Sequence, residues 1–93
     1  MSNPIDAIKK LVDAGASLAS VATKLMDDGW VHKAEPVSLM GEKGILVWDY
    51  VLWNDIYFYS FERREKYVLF SHVSDKEVNK KFNELAKKHG ENT

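Results

Sequence analysis

The chain of 93 residues contains no cysteine, so a disulfide framework, a thiolate metal site and a cysteine nucleophile are all excluded. It has only two prolines and five glycines, which leaves little material for a low-complexity or linker segment, and none is visible. It has no run approaching the ~20 apolar residues that span a bilayer. The N-terminus, Met1-Ser2-Asn3-Pro4-Ile5-Asp6-Ala7-Ile8-Lys9-Lys10, lacks a basic segment followed by an apolar one, so a secretory signal is not expected. These absences suit a soluble, cytoplasmic protein in a reducing compartment. One charge sign does not dominate either: 13 Lys and Arg face 14 Asp and Glu, for a formal net charge of −1. At this length one core is the usual solution, so residues 1–93 read as a single domain.

Aromatic residues are scarce outside one stretch. Trp48, Tyr50, Trp53, Tyr57, Phe58, Tyr59, Phe61, Tyr67 and Phe70 all fall between positions 48 and 70. What surrounds that stretch sets the fold class. Asn3 and Pro4 suit the start of a first helix, Ile5, Ile8, Leu11 and Val12 share one of its faces, and Gly15 suits its stop. Ser17 suits the cap of a second helix, with Leu18, Val21, Ala22, Leu25 and Met26 at helical spacing before Gly29. The segment near residues 31–39 is a Pro36-interrupted candidate edge strand. From Gly44 the β-branched and aromatic content predicts a strand to Trp53, a two-residue turn at Asn54-Asp55, and a second strand through Phe61. Glu62-Arg63-Arg64-Glu65-Lys66 is a charged connection to a third strand, Tyr67 to Val73. Ser74-Asp75-Lys76-Glu77 matches a capping box, opening an amphipathic helix on Val78, Phe82, Leu85 and Ala86 that Gly90 ends, with Glu91-Asn92-Thr93 fraying. The expectation is an α+β fold: two N-terminal helices, a three-strand antiparallel meander with a candidate fourth edge strand, and a C-terminal helix.

A turn at Asn54-Asp55 would pair Trp53 with Ile56, Val51 with Phe58 and Asp49 with Ser60. That register puts Val47, Val51, Trp53, Ile56, Phe58, Leu69 and Val73 on one face, under the helices. The other face then holds Trp48, Tyr50, Tyr57, Tyr59, Phe61 and Phe70, more apolar area than a monomer normally exposes. Three coverings compete: the chain's own helices on both faces, a protein partner or identical subunit, and a nucleic-acid strand stacked on the aromatics. The third needs a basic rim. Residues 1–60 carry five basic and eight acidic side chains and residues 61–93 eight and six, so the basic excess lies mainly on the last helix.

Chemistry is sparsely signalled. His32, His72 and His89 have no ligand partner at a metal-binding spacing, and no metal or cofactor is expected. Asp49, mid-strand, is the carboxylate to examine, with His72 as its candidate companion. Gly41-Glu42-Lys43-Gly44 is a short flexible connection without phosphate-loop spacing, and no serine sits in a nucleophile elbow. A helix-turn-helix comparison fails because extended sequence, not a basic recognition helix, follows Gly29-Trp30. Asp27 and Asp28 form an acidic turn, and Arg63 and Arg64 a basic tip, each a secondary charged contact for a partner. The expected function is a non-enzymatic protein-interaction domain of inhibitor, immunity or adaptor type, binding a protein partner or itself through Trp48, Tyr50, Tyr57, Tyr59, Phe61 and Phe70. The alternative is a nucleic-acid-binding module using the tyrosines, Arg63, Arg64 and the Lys-rich last helix.

Overall fold

A computed structural model describes residues 4–90; the Asn3 cap and the fraying of Glu91-Asn92-Thr93 lie outside the described residues. Two helices come first, α1 (Pro4–Asp13) and α2 (Leu18–Asp27), followed by strands β1 (Lys33–Leu39), β2 (Glu42–Tyr50), β3 (Asn54–Ser60) and β4 (Glu65–Val73), then α3 (Asp75–His89). The strands form one antiparallel meander in the order β1-β2-β3-β4. The fold is α+β as the sequence predicts, and the candidate edge strand near residues 31–39 is present as β1, which makes four strands. Pro36 is accommodated because β1 lies at the sheet edge.

Local punctuation largely follows the sequence. Ser17 caps α2, its Oγ accepting from the Ser20 amide, and the stops at Gly15 and Gly29 stand where the sequence puts them. The capping box of α3 does not form as expected. The Ser74 hydroxyl donates to Glu77 Oε1 at 3.3 Å instead of accepting from a backbone amide. The connection at Gly41-Glu42-Lys43-Gly44 is also corrected: Met40 and Gly41, with φ of 52° and 76°, make a two-residue turn, and Glu42 to Gly44 already belong to β2. Positive φ at both central residues matches the right-handed twist of the flanking strands.

The largest correction concerns the β2–β3 register. Asn54 and Asp55 are not a turn; they are the first residues of β3, paired with Tyr50 and Asp49, and the connection is Val51-Leu52-Trp53. Trp48 consequently faces Ile56 and Val47 faces Tyr57, a slip of an odd number of residues from the pairing predicted by the turn. An odd slip exchanges the faces of one strand relative to the other. The cause is tertiary. Asn54 is buried, and its carboxamide is held by three partners from β2, β4 and α3, which fixes it in the sheet against its own turn preference.

With that register, both faces of the sheet are cores. On one, Ile45, Val47, Tyr57 and Tyr59 pack with Ala34 under Ile8, Val21, Ala22 and Leu25 of α1 and α2. On the other, Leu46, Trp48, Ile56 and Phe58 pack with Val37 under Val78 and Phe82 of α3. Each such side chain removed from water contributes roughly 1.5–3 kcal/mol. The central strands are therefore buried continuously, whereas β4, at the far edge, is largely exposed. Gly44 is part of this packing: a Cβ there would meet the Tyr59 carbonyl and lie 2.7 Å from Phe58 Cε1.

Candidate interaction surface

The aromatic face expected to lie open is divided by the true register. Trp48, Tyr57 and Tyr59 are 9%, 2% and 1% exposed, covered by the chain's own helices, and Phe61 is packed at the margin of the α1–α2 core. Of the six aromatic residues predicted to meet a partner, only Tyr50 and Phe70 present substantial surface. Covered in this way, Tyr57 and Tyr59 offer no docking face, and Trp48 keeps only a narrow margin beside Asn54 and Asp75. The signal that could have shown this is in the sequence: Ile45-Leu46-Val47-Trp48 and Ile56-Tyr57-Phe58-Tyr59 run apolar without alternation, the pattern of strands covered on both sides.

What remains uncovered is a different element. At the end of β2 and in the β2–β3 connection, Tyr50, Val51, Leu52 and Trp53 are 56%, 75%, 76% and 41% exposed. Sequence reasoning placed Val51 and Trp53 in the core because they continue the β-branched and aromatic run of β2. Trp53 is held against the ring of His72, with centroids 4.1 Å apart and planes at 25°. His72 adopts φ of 57°, and the β3–β4 pairing shifts register nearby, so this end of β4 is bulged. Asp55 stabilises the bulge by accepting from Ser71 Oγ at 2.8 Å and from the His72 amide at 3.4 Å. An edge residue whose backbone is tied to Asp55 thus stacks on the largest ring of an otherwise apolar loop. Beside Val51, Leu52 and Trp53 the two carboxylates Asp49 and Asp55 line a small depression, facing each other across β2 and β3. Elsewhere on β4, Phe70 lies under the Lys81 ammonium at 4.7 Å, on the α3 side, and Val68 is exposed.

The electrostatics of the candidate catalytic pair do not converge. Asp49 stands opposite Asp55 and not, as the predicted turn implied, opposite Ser60. Burial pushes its carboxyl above the usual range, with the charge of Asp55 adding to the rise and Lys66 opposing it. His72 makes no hydrogen bond to Asp49 or Tyr57 among the described residues; its Nδ1 is 3.1 Å from Ser71 Oγ. The same Ser71 hydroxyl is hydrogen-bonded to Asp55, so this contact joins His72 to Ser71 and Asp55 and not to Asp49. No group of three or more His, Asp or Glu is placed to hold a metal ion among the described residues.

The secondary charged residues are largely engaged within the chain. Arg63 Nε donates to Glu42 Oε2 at 2.6 Å, and Glu42 Oε1 accepts from Ser60 Oγ at 2.6 Å, which holds the Glu42 carboxyl below its ordinary range. Arg64, at φ 55°, reaches Asp13 of α1 at 2.7 Å. Asp28 pairs with Lys24 at 3.7 Å, while Asp27 borders a shallow depression on α2. His32, without an interpretation in the sequence, packs against Trp48 with centroids 4.2 Å apart and planes inclined at 50°. No helix among the described residues is long and apolar enough to cross a membrane. No protein-family profile, no curated protein and no solved structure matches the chain.

Proposed function

We propose that the protein is a non-enzymatic interaction domain, of inhibitor, immunity or adaptor type, that docks through the Tyr50-Val51-Leu52-Trp53 loop. The observation that carries this reading is the exposure of four consecutive residues, Tyr50 at the end of β2 and the three of the connection after it, with the Trp53 ring stacked on His72. Exposed apolar groups cost free energy that a complementary surface recovers, and a pre-oriented aromatic loses little side-chain entropy when it is buried. Asp49 and Asp55 flank the loop, so the complementary partner is an apolar pocket on a protein with a basic rim.

The test is a comparison of the wild-type chain with a Val51→Ser/Leu52→Ser variant, in sizing by light scattering and in capture from the native host. A captured protein, or a self-association, that disappears in the variant while the unfolding midpoint is unchanged supports the reading. A complex that persists undiminished in the folded variant overturns it. The nucleic-acid alternative draws less support: Tyr57 and Tyr59 are buried, and Arg63 and Arg64 are paired with Glu42 and Asp13. A stacking platform requires open rings beside free cations.

A further inference from the structure

A cleft of about 520 Å³ lies where β2 outruns β1. β1 begins at Lys33, opposite Trp48, so the last two residues of β2 have no strand on that side, and the chain from Gly29 to His32 skirts the gap. Trp30 lines it from the α1–α2 core, while Trp48 and Asp75 line it from the α3 side. Its walls are thus ring-rich, with Trp30, His32, Trp48 and Tyr50, and its acidic groups are Asp49 and Asp75. No lysine or arginine is among the lining residues.

We propose that this cleft binds a protonated amine carried on an apolar stem. The faces of tryptophan and tyrosine attract a cation through their ring quadrupoles, and the interaction strengthens where water is partly excluded. Two carboxylates supply the opposite charge. Asp75 has one oxygen committed to the Asn54 carboxamide at 2.7 Å, which fixes the orientation of the group. Asp49 is half-buried, and burial raises its carboxyl against the opposing charge of Lys66, so an ammonium in the cleft would add to the stabilisation that Lys66 gives its ionised form. The volume falls within the range of small-ligand sites and accommodates the stem as well as the charged head. The amine could be free or be the side chain of a polypeptide lysine; the chemistry of recognition is the same.

This inference does not rest on docking by the β2–β3 loop. The probes are butylammonium and the blocked tripeptide acetyl-Gly-Lys-Gly-amide, with butyrate as the anionic control, followed by the indole N–H signals in two-dimensional NMR. The signals of Trp30 and Trp48 should shift saturably with either cation, while Trp53, outside the cleft, serves as the stationary reference. Asp49→Asn should weaken binding by about fivefold, as should Tyr50→Ala, whose ring is largely exposed. Val51→Ser/Leu52→Ser should bind as the wild type, which separates failure here from failure of the docking loop. Tighter binding of the tripeptide assigns the site to a polypeptide lysine, and equal binding assigns it to a free amine. No saturable shift at Trp30 and Trp48, an equal response to butyrate, or unchanged affinity in both variants overturns the proposal.

Discussion

The indole of Trp48 donates through Nε1 to Asn54 Oδ1 at 3.0 Å, inside the core that joins the sheet to α3. The other end of the same carboxamide donates to the Val73 carbonyl at 2.9 Å and to Asp75 Oδ1 at 2.7 Å. One buried side chain thereby ties β2, the end of β4 and the first residue of α3 together, and it sets the register that decides which aromatics are covered.

Removing that carboxamide should be costly. Asn54→Ala leaves the Trp48 N–H buried without an acceptor, and a destabilisation of about 2–3 kcal/mol is expected in urea unfolding. Trp48→Phe removes the orphaned donor, so the double variant should be less destabilised than the sum of the two single changes. A strictly additive cycle would mean that the bond does not couple the two positions.

Gly44→Ala tests the close approach of β2 to β3. Its methyl group would collide with the Tyr59 carbonyl and the Phe58 ring, neither of which can withdraw from a packed sheet. Overpacking of this kind costs about 1–3 kcal/mol, read as a lowered unfolding midpoint. An unchanged midpoint would show that the strands can separate locally at no cost.

The division of the aromatics predicts opposite responses from neighbouring tyrosines. Tyr59→Ala empties a fully buried site between the sheet and the N-terminal helices and should cost about 3–5 kcal/mol. Tyr50→Ala, at an exposed position, should change stability by no more than about 0.5 kcal/mol. Denaturant midpoints of the two variants, measured side by side, check both.

Two carboxylates should shape the pH dependence with opposite signs. Glu42 is held low by the Ser60 hydroxyl and then by Arg63, so its stabilising contribution is complete above the unfolded-state value of about 4.3 and is lost as pH falls through the lower native value. Glu42→Gln should flatten the acid side of the stability curve. Asp49 is raised by burial, so the native state holds its proton more tightly, and stability falls as pH rises from the unfolded value of about 3.9 through the native one. Asp49→Asn should therefore be more stable than the wild type at about pH 7 and lose that advantage in acid. Urea midpoints across this range give both slopes.

Much of the architecture is determined by sequence, because it depends on neighbours in the chain. The helical spacing of Ile5, Ile8 and Leu11, the Ser17 cap, the stop at Gly29 and the apolar face of Val78 and Phe82 each follow from local geometry, and the α+β order follows from them. The candidate surface was not legible in the same way. Asn54-Asp55 has the chemistry of a turn, and Val51-Leu52-Trp53 has the chemistry of a strand, yet the structure reverses the two. Only the folded molecule brings Trp48, Val73 and Asp75 around Asn54, and satisfying that buried carboxamide outweighs a turn preference worth far less. The strand period of two then turns a register slip of an odd number into an exchange of faces, which buries Tyr57 and Tyr59 and leaves the loop from Tyr50 to Trp53 in water.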